Sequence, residues 1–415
     1  MKILYDSSVL ISAFLTEASI HRTGVFRYVE SLALQLQRKT DVSVSFYSSL
    51  NTHQNTLWQN KVLELAHLQN IPLINVHHPL KDHIHKLSDQ LQEVTAWRRV
   101  LIKGYRESLR LILNNSKFED QKFEDFDLFY SPYHPLPKFV KDKKRLITFN
   151  TIHDLIPIKY PKFFKDSKKG FFDRILKKPK PWQYFFALSE STKADMCHYY
   201  SISPERIFIV NSAPPSDLFY PIKDPTLIET VKAKYKINGP YLLSLATLEP
   251  RKNIPFLVDS FIKLIEERPD LELSLVLSGA KGWGFEALLE KIKKHSDRIL
   301  LTGFVEDQDL AALYNGAMAF VYPSLYEGFG LPPLEAMSCG IPVIVSDTSS
   351  LPEVVGQAGL YIDPTHSDDL CQRILQIYES EELRKELSQK SLIQAKKFTW
   401  EKNAERACNA FQSIL

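Results

Sequence analysis

Short apolar runs alternate with longer stretches of helical periodicity along most of the chain. The runs that read as strands in the first half are Lys2–Tyr5, Ser43–Tyr47, Leu128–Ser131, Arg145–Asn150, Phe185–Ser189 and Ile207–Val210. A second set comprises Tyr241–Leu245, Glu272–Ser278, Ile299–Thr302, Ala319–Pro323, Pro342–Ser346 and Leu360–Ile362. Strands separated by helices predict βαβ units and parallel sheets, so the fold class is α/β. Ligands of such sheets gather where strands end in their carboxyl direction, which makes the segments just after each strand the ones to inspect.

A chain of 415 residues suits two domains rather than one core. The seam falls at Asn211-Ser212-Ala213-Pro214-Pro215, with a proline-rich continuation to Pro225. The expected units are residues 1–215 and 216–397. Residues 398–415 form a separate helical pattern headed by Trp400 that can cross back onto the first domain.

Composition narrows the function classes. An apolar fraction of 44% with 24% charged residues is that of a globular protein, and a formal charge of +3 gives no global pull toward nucleic acid. Cys197, Cys339, Cys371 and Cys408 lie far apart, so neither a zinc pattern nor a disulfide framework is expected, and a reduced cytosolic setting is the simplest reading. The first residues read as a strand, not a signal peptide, and no run of about 18 apolar residues is long enough to span a bilayer.

The most informative string is Tyr326-Glu327-Gly328-Phe329-Gly330-Leu331-Pro332-Pro333-Leu334-Glu335-Ala336-Met337, after the strand Ala319–Pro323. Its glycines allow close backbone approach, its prolines suit a first helical turn, and a helix start attracts phosphate. Glu327 stands in the loop and Glu335 just inside the helix. The bland alternative for Glu335 is a carboxylate complementing the helix dipole. Leu245 to Asn253 also follows a strand, and Arg251 and Lys252 there can neutralise a leaving diphosphate, against the alternative of two solvated cations. Gly303-Phe304-Val305 forms a tight turn after Ile299–Thr302 that could face a nucleotide base, although most such turns look alike.

Together these residues resemble glycosyltransferase family 4, whose members have the two-Rossmann-domain GT-B fold. The motifs that carry the resemblance are Glu-Pro-Arg-Lys-Asn at 249–253, Gly-Phe-Val at 303–305, and Glu327 and Glu335 with seven residues between them. Gly340–Ser346, Leu351-Pro352-Glu353-Val354 and Ala358-Gly359-Leu360 continue it. It is strong over Tyr241–Asp363 and looser elsewhere. The resemblance implies that Glu335 holds the nucleotide ribose and that Glu327 lies beside the hydroxyls of the transferred sugar. It makes Arg251 and Lys252 the diphosphate clamp, and places the backbone at Gly328, Phe329, Gly330 and Leu331 near phosphate and sugar. Many relatives carry Gly-Arg after the first strand of this domain, where this chain has Ala246-Thr247, so the clamp is expected to rest on Arg251 and Lys252 alone.

In the first half, Thr23 to Glu30 resembles the family's Gly-Ile-Gly-Arg-Tyr loop. It keeps Gly24, Arg27 and Tyr28, with Phe26 at the second glycine. Thr151 to Pro157 looks like the family's His-Asp-Leu segment. His153 is then placed to contact the sugar, with Asp154 either orienting it or capping the turn. Ser189-Glu190-Ser191-Thr192 also fits, its hydroxyls reading as caps of the next helix. Asp125-Phe126-Asp127 spells a metal motif of a different fold, but without context it reads as solvated lead-in to a strand.

The resemblance implies retention of anomeric configuration with no metal and no cofactor. The partners are a nucleotide-sugar donor, with GDP-mannose the first choice, and a saccharide or lipid-linked acceptor of polysaccharide or glycolipid synthesis. No residue reads as a covalent nucleophile, so same-face attack is expected, with the departing phosphate taking the acceptor's proton. Arg99, Lys103, Arg106 and Arg110 recur at helical spacing near Trp97 and Tyr105, and Lys162–Trp182 mixes aromatics with lysines. These two regions fit either an anionic membrane surface, placing the protein at the inner face of the plasma membrane, or solvated elements. Other donors (a UDP-sugar or a deoxysugar nucleotide), a sugar-nucleotide epimerase and a non-catalytic partner subunit are the alternatives. The two-glutamate pattern suits an epimerase less well, and the presence of His153, Arg251, Lys252, Glu327 and Glu335 speaks against a subunit without turnover.

Overall fold

Alternation of buried strands and one-sided helices produces two parallel sheets in the computed structural model, which describes residues 1–10, 24–48, 71–74, 125–141, 146–164, 168–247, 249–279 and 286–415. The first sheet contains β1 (Lys2–Asp6), β2 (Ser43–Tyr47), β3 (Leu73–Ile74), β4 (Leu128–Ser131), β5 (Ile147–Ile152), β6 (Gln183–Ala187) and β7 (Ile207–Ile209), ordered β3-β2-β1-β4-β5-β6-β7. The second contains β8 (Tyr241–Leu245), β9 (Ser274–Ser278), β10 (Ile299–Gly303), β11 (Ala319–Tyr322), β12 (Val343–Ser346) and β13 (Gly359–Ile362), ordered β10-β9-β8-β11-β12-β13. The architecture is that of two Rossmann-like domains, the GT-B arrangement.

Each strand read from the apolar pattern forms, with ends shifted by at most two residues. Strands such as β4 and β12 are buried along their whole length, as parallel strands covered by helices on both faces must be. One shift matters for the site. β5 runs two residues further than Asn150, because Thr151 and Ile152 pair with Phe186 and Ala187, so His153 follows the strand immediately. The two-residue edge strand β3 is too short to leave a period in the sequence.

Helices α1 (Gly24–Gln37), α2 (Lys169–Leu176), α3 (Glu190–Tyr200), α4 (Leu331–Ser338) and α5 (Trp400–Ile414) frame the cleft and its back. In α1, Phe26, Tyr28, Val29, Leu32, Ala33 and Leu36 are buried at helical spacing. The last helix, α5, starts at Thr399, whose hydroxyl accepts from the Lys402 amide, and packs on α1 of the first domain. Its Phe411 ring lies 4.8 Å from Phe149, 5.3 Å from Phe186 and 5.7 Å from Tyr130 (centroid distances), and Trp400 lies 5.7 Å from Tyr28. The chain thus leaves the second domain and ends in the core of the first.

The rings of the segment 162–182 are drawn inward to different degrees. Phe172, Ile175 and Leu176 of α2 are buried against Ile152, Leu155 and Phe185, and Phe163, Phe164, Phe171 and Trp182 are half-buried. What remains outward is Lys162, Lys168, Lys169, Arg174, Lys177, Lys178 and Lys180. Burying the Phe172 ring on the β5–β6 face stabilises that domain. The stripe of Arg99, Lys103, Arg106 and Arg110 lies outside the described residues. No helix among the described residues is long and apolar enough to cross a membrane.

Phe411 is fully buried and touches three rings, so Phe411→Ala removes both apolar burial and ring contacts. Denaturant unfolding of the first domain is expected to lose about 3–5 kcal/mol. A loss under about 1 kcal/mol would contradict the packing of α5 on that domain.

Candidate functional site

Each sheet reverses its strand order once, between β1 and β4 in the first and between β8 and β11 in the second. At such a reversal the loops after two neighbouring strands diverge and open a crevice. After β8 the chain makes a 3-10 turn, Pro250–Lys252, ending in Asn253 at φ 58°. After β11 it runs through Ser324 to Gly330. The two loops are tied together by Leu325 N–H donating to the Arg251 carbonyl at 2.9 Å.

This pairing places three ions at one point. Glu327 Oε1 lies 2.7 Å from Arg251 Nη1 and 2.7 Å from Lys252 Nζ, and accepts from Ser324 Oγ at 2.6 Å. Arg251 also pairs with Glu249 and donates to the Tyr326 carbonyl at 2.9 Å, while Lys252 donates to the Tyr322 hydroxyl. The side chains of Arg251, Lys252 and Glu327 are 14%, 11% and 10% exposed, so the cluster is shielded from water. Burial opposes the charge on Glu327, but Lys252 and Arg251 outweigh it and hold its carboxyl down at about 2. Burial likewise lowers the Lys252 ammonium against the pull of Glu327. Arg251 is raised because Glu327, Tyr322 and Glu249 overcome its own burial.

Helix α4 opens directly after this cluster. Gly330 stands at its start with φ 116°, a conformation that side chains strain, and an added Cβ would press on Leu351 Cδ2. Pro332 and Pro333 carry no N–H, and Leu334 N donates to the Gly330 carbonyl at 3.4 Å. An anion here would therefore be met by the Leu331 amide rather than by a full turn of donors. One turn in, Glu335 is buried and accepts from the Tyr314 hydroxyl at 3.0 Å. Burial pushes its carboxyl up to about 7, against the opposing pull of Arg27. Arg27 reaches from α1 to pair with Asp307 at 2.9 Å, and a Cβ on Gly24 would sit 3.3 Å from Leu331 Cδ1. Gly24 and Arg27 thus face α4 across the cleft. Nearby, Phe304 is 66% exposed on the turn after β10, whereas Val305 is buried.

His153 and Asp154 form the opposite wall. His153 Nε2 lies 2.9 Å from the Pro132 carbonyl, which can only accept, so Nε2 carries the proton. The ring packs edge-on to Tyr28 at 4.9 Å, and burial holds its pKa down at about 4, which leaves it a neutral imidazole. Asp154 does not orient it. Its Oδ1 accepts from the Ile156 amide at 3.0 Å and so caps the turn. A cavity of about 560 Å³ opens beside these residues and is bordered by Tyr133, Phe171, Lys168 and, from the other domain, Glu249 and Arg251. Gly328 presses against this wall so closely that a Cβ would collide with the His153 carbonyl.

The structure therefore brings His153, Arg251, Lys252, Glu327, Gly328 and Gly330 to one cleft, with Gly24, Leu331 and Glu335 at its adjoining end. In the ligand-free protein the Glu327 carboxylate is bound to both cations. Phe329 is buried and its ring packs 5.7 Å from Phe398. Asp127 accepts from the Lys2 amide at 2.7 Å, as a strand lead-in would. Among the described residues no three His, Cys, Asp or Glu converge as a metal site would require. The sequence reading gave no role to Tyr314, Tyr322, Ser324 or Glu249. Glu249 stood two residues before Arg251 in a motif already quoted, but the tyrosines reach the site from strand and helix positions that read as core.

Residues 228–393 match the family described as "Glycosyl transferases group 1". The chain is 33% identical over 296 residues to "O-antigen chain mannosyltransferase B" of Escherichia coli, covering 70% of this chain and 75% of that one. It is 32% identical over 268 residues to the "Serotype-specific mannosyltransferase WbdA" of Escherichia coli, 63% of this chain but only 33% of that longer protein. The fold matches Anabaena Alr3699/HepE in complex with UDP and glucose over 100% of both chains, with a TM-score of 0.66 at 16% identity. The chain belongs to the group 1 glycosyl transferases.

Proposed function

We propose that this glycosyl transferase is a retaining, metal-independent enzyme of family 4 type that moves mannose from GDP-mannose to a saccharide or lipid-linked saccharide acceptor. The observation that carries the reading is the buried Arg251–Glu327–Lys252 cluster, which faces His153 across the cleft. The choice of sugar and of a surface-polysaccharide acceptor rests on the names of the similar mannosyltransferases.

As the bond from the sugar's anomeric carbon to the diphosphate oxygen breaks, negative charge builds on the leaving group. Arg251 and Lys252 are placed to receive that charge inside a shielded site, where a fixed cation stabilises more than it does in water. Glu327 and His153 are poor proton acceptors for an incoming hydroxyl, because Arg251, Lys252 and Ser324 already occupy the carboxylate and the buried imidazole is a weak base. Glu327 is ionised down to about 2, and His153 is neutral above about 4. The acceptor's proton therefore passes to the departing diphosphate oxygen as the new bond forms on the same face. Glu327 meanwhile keeps the two cations oriented, and closing the cleft keeps water from taking the sugar.

Glu335 is suited to accept hydroxyl hydrogens from a ribose. Without such donors its burial is a cost. Its folded pKa of about 7 lies above the ordinary 4.5, so the fold favours the protonated form. The cost is absent below the unfolded value, grows as pH rises through the interval, and is complete above the folded value. It reaches about 3 kcal/mol. In the ligand-free protein, Glu335→Gln is expected to gain about 2 kcal/mol of unfolding free energy over wild type between pH 5 and pH 8. An equal difference at the two pH values would contradict the buried titration.

A thermal-shift screen of nucleotides and nucleotide sugars in the presence of EDTA tests the donor site. GDP and GDP-mannose are expected to raise the melting temperature selectively, with Lys252→Ala weakening affinity about 10- to 100-fold through loss of a charged contact and Glu335→Ala weakening it as well. No stabilisation by any nucleotide would overturn the proposed donor site.

A further inference from the structure

The loop that carries Glu327 is gripped from both domains. Its own domain holds two points of the backbone. Glu327 N–H donates to Ser349 Oγ at 2.9 Å, and Ser350 Oγ reaches the carbonyls of Glu327 at 3.0 Å and Phe329 at 2.7 Å. The carbonyl between them belongs to the other domain. Gly328 O accepts from Ser189 Oγ at 2.7 Å and from Thr192 Oγ1 at 3.2 Å, both at the start of α3. On the other side of Glu327, the Tyr326 hydroxyl donates to the Asp195 carboxylate and lies 3.1 Å from Ser191 Oγ. Asp195 is itself held by Lys159 at 3.2 Å.

A carboxylate from the second domain completes the contact. Glu353 accepts from the amides of Glu190 and Ser191 at 2.7 and 2.8 Å, so it caps the first turn of α3 from across the cleft. Both bonds involve an ion and a helix start that favours negative charge.

We propose that Ser189, Thr192, Asp195 and Glu353 are positioning residues, which convert closure of the two domains into the placement of Glu327. The proposal rests on the reading of the Arg251–Glu327–Lys252 cluster as the donor-side machinery. Its logic is local. Gly328 has no side chain to restrict its backbone, so the loop has little stiffness of its own at that residue. When the domains part, the Gly328 carbonyl loses both of its donors and Tyr326 loses Asp195, and the residues on either side of Glu327 are released together. When they close, the same contacts press Gly328 onto the His153 carbonyl and bring the two walls of the cleft into register. None of the four residues needs to touch donor or acceptor. Ser189 also caps α3 through the Thr192 amide, so hydroxyls that read as plain helix caps serve both the helix and the closed cleft.

Glu353→Gln and Thr192→Val test this. The first substitution keeps the side-chain shape but places an amide donor against one of two backbone donors. The second removes only a hydroxyl. Three quantities are read for each: the radius of gyration by small-angle X-ray scattering with and without GDP, the affinity for GDP by calorimetry, and kcat with GDP-mannose. The expected result is a larger radius than wild type, GDP affinity within about twofold, and kcat lowered about 10- to 100-fold for Glu353→Gln and less for Thr192→Val. Variants as compact as wild type, or with unchanged kcat, would overturn the proposal. So would a parallel loss of GDP affinity, because the contacts would then be shaping the nucleotide site itself. If wild type neither binds GDP nor turns over GDP-mannose, the donor reading fails, while the scattering comparison still decides whether these contacts hold the domains together.

Discussion

Two cations and one carboxylate share a buried point where β8 and β11 end, and their charge balance constrains most of what surrounds them. Desolvating Arg251 and Lys252 next to each other is unfavourable unless an anion lies between them, and in the ligand-free protein that anion is Glu327. Removing one partner of such a group costs about 3–5 kcal/mol because the remaining charges stay buried. The loop after β11 must therefore bend back toward the loop after β8, and Ser324 and Tyr322 supply the remaining hydrogen bonds. A diphosphate entering the cleft would meet cations that are already in place, so little rearrangement would be needed as charge develops.

The same constraint explains how the two walls divide their work. Glu327 sits among cations and stays ionised, whereas Glu335, further along the same motif and shielded by Tyr314 and the helix, is pushed the other way. Two glutamates of one motif thus have opposite tendencies set by their surroundings. His153 is kept neutral by burial, with Nε2 spent on the Pro132 carbonyl. It therefore presents an uncharged ring to the cleft, and a proton-donating role does not suit it.

Much of the fold was legible in the sequence because parallel strands buried on both faces leave uninterrupted apolar runs, and each run that was read became a strand. The short β3 left no such trace. The candidate cluster was legible where its residues lie in local strings: Arg251-Lys252 after one strand, and Glu327 to Glu335 after another. What could not be read were partners distant in the chain. Tyr314 and Tyr322 looked like core residues, and their hydroxyls matter only because the fold turns them toward the glutamates. Ser189 and Glu353 lie far apart in the sequence, and the helix start they share exists only after both sheets have formed and met. Likewise, Phe172 stands beside many lysines in the sequence, yet the flank of β5 and β6 needed apolar cover and took it inward.

The cation–carboxylate cluster is proposed to support transfer of a sugar without a metal and with its anomeric configuration retained. The most direct test is proton NMR of a reaction containing the protein, GDP-mannose, a short mannose oligosaccharide and EDTA. The expected result is release of GDP together with a new α-linked mannosyl residue, matching the α configuration of the donor. A β-linked product, turnover abolished by EDTA, or no consumption of the donor would contradict it.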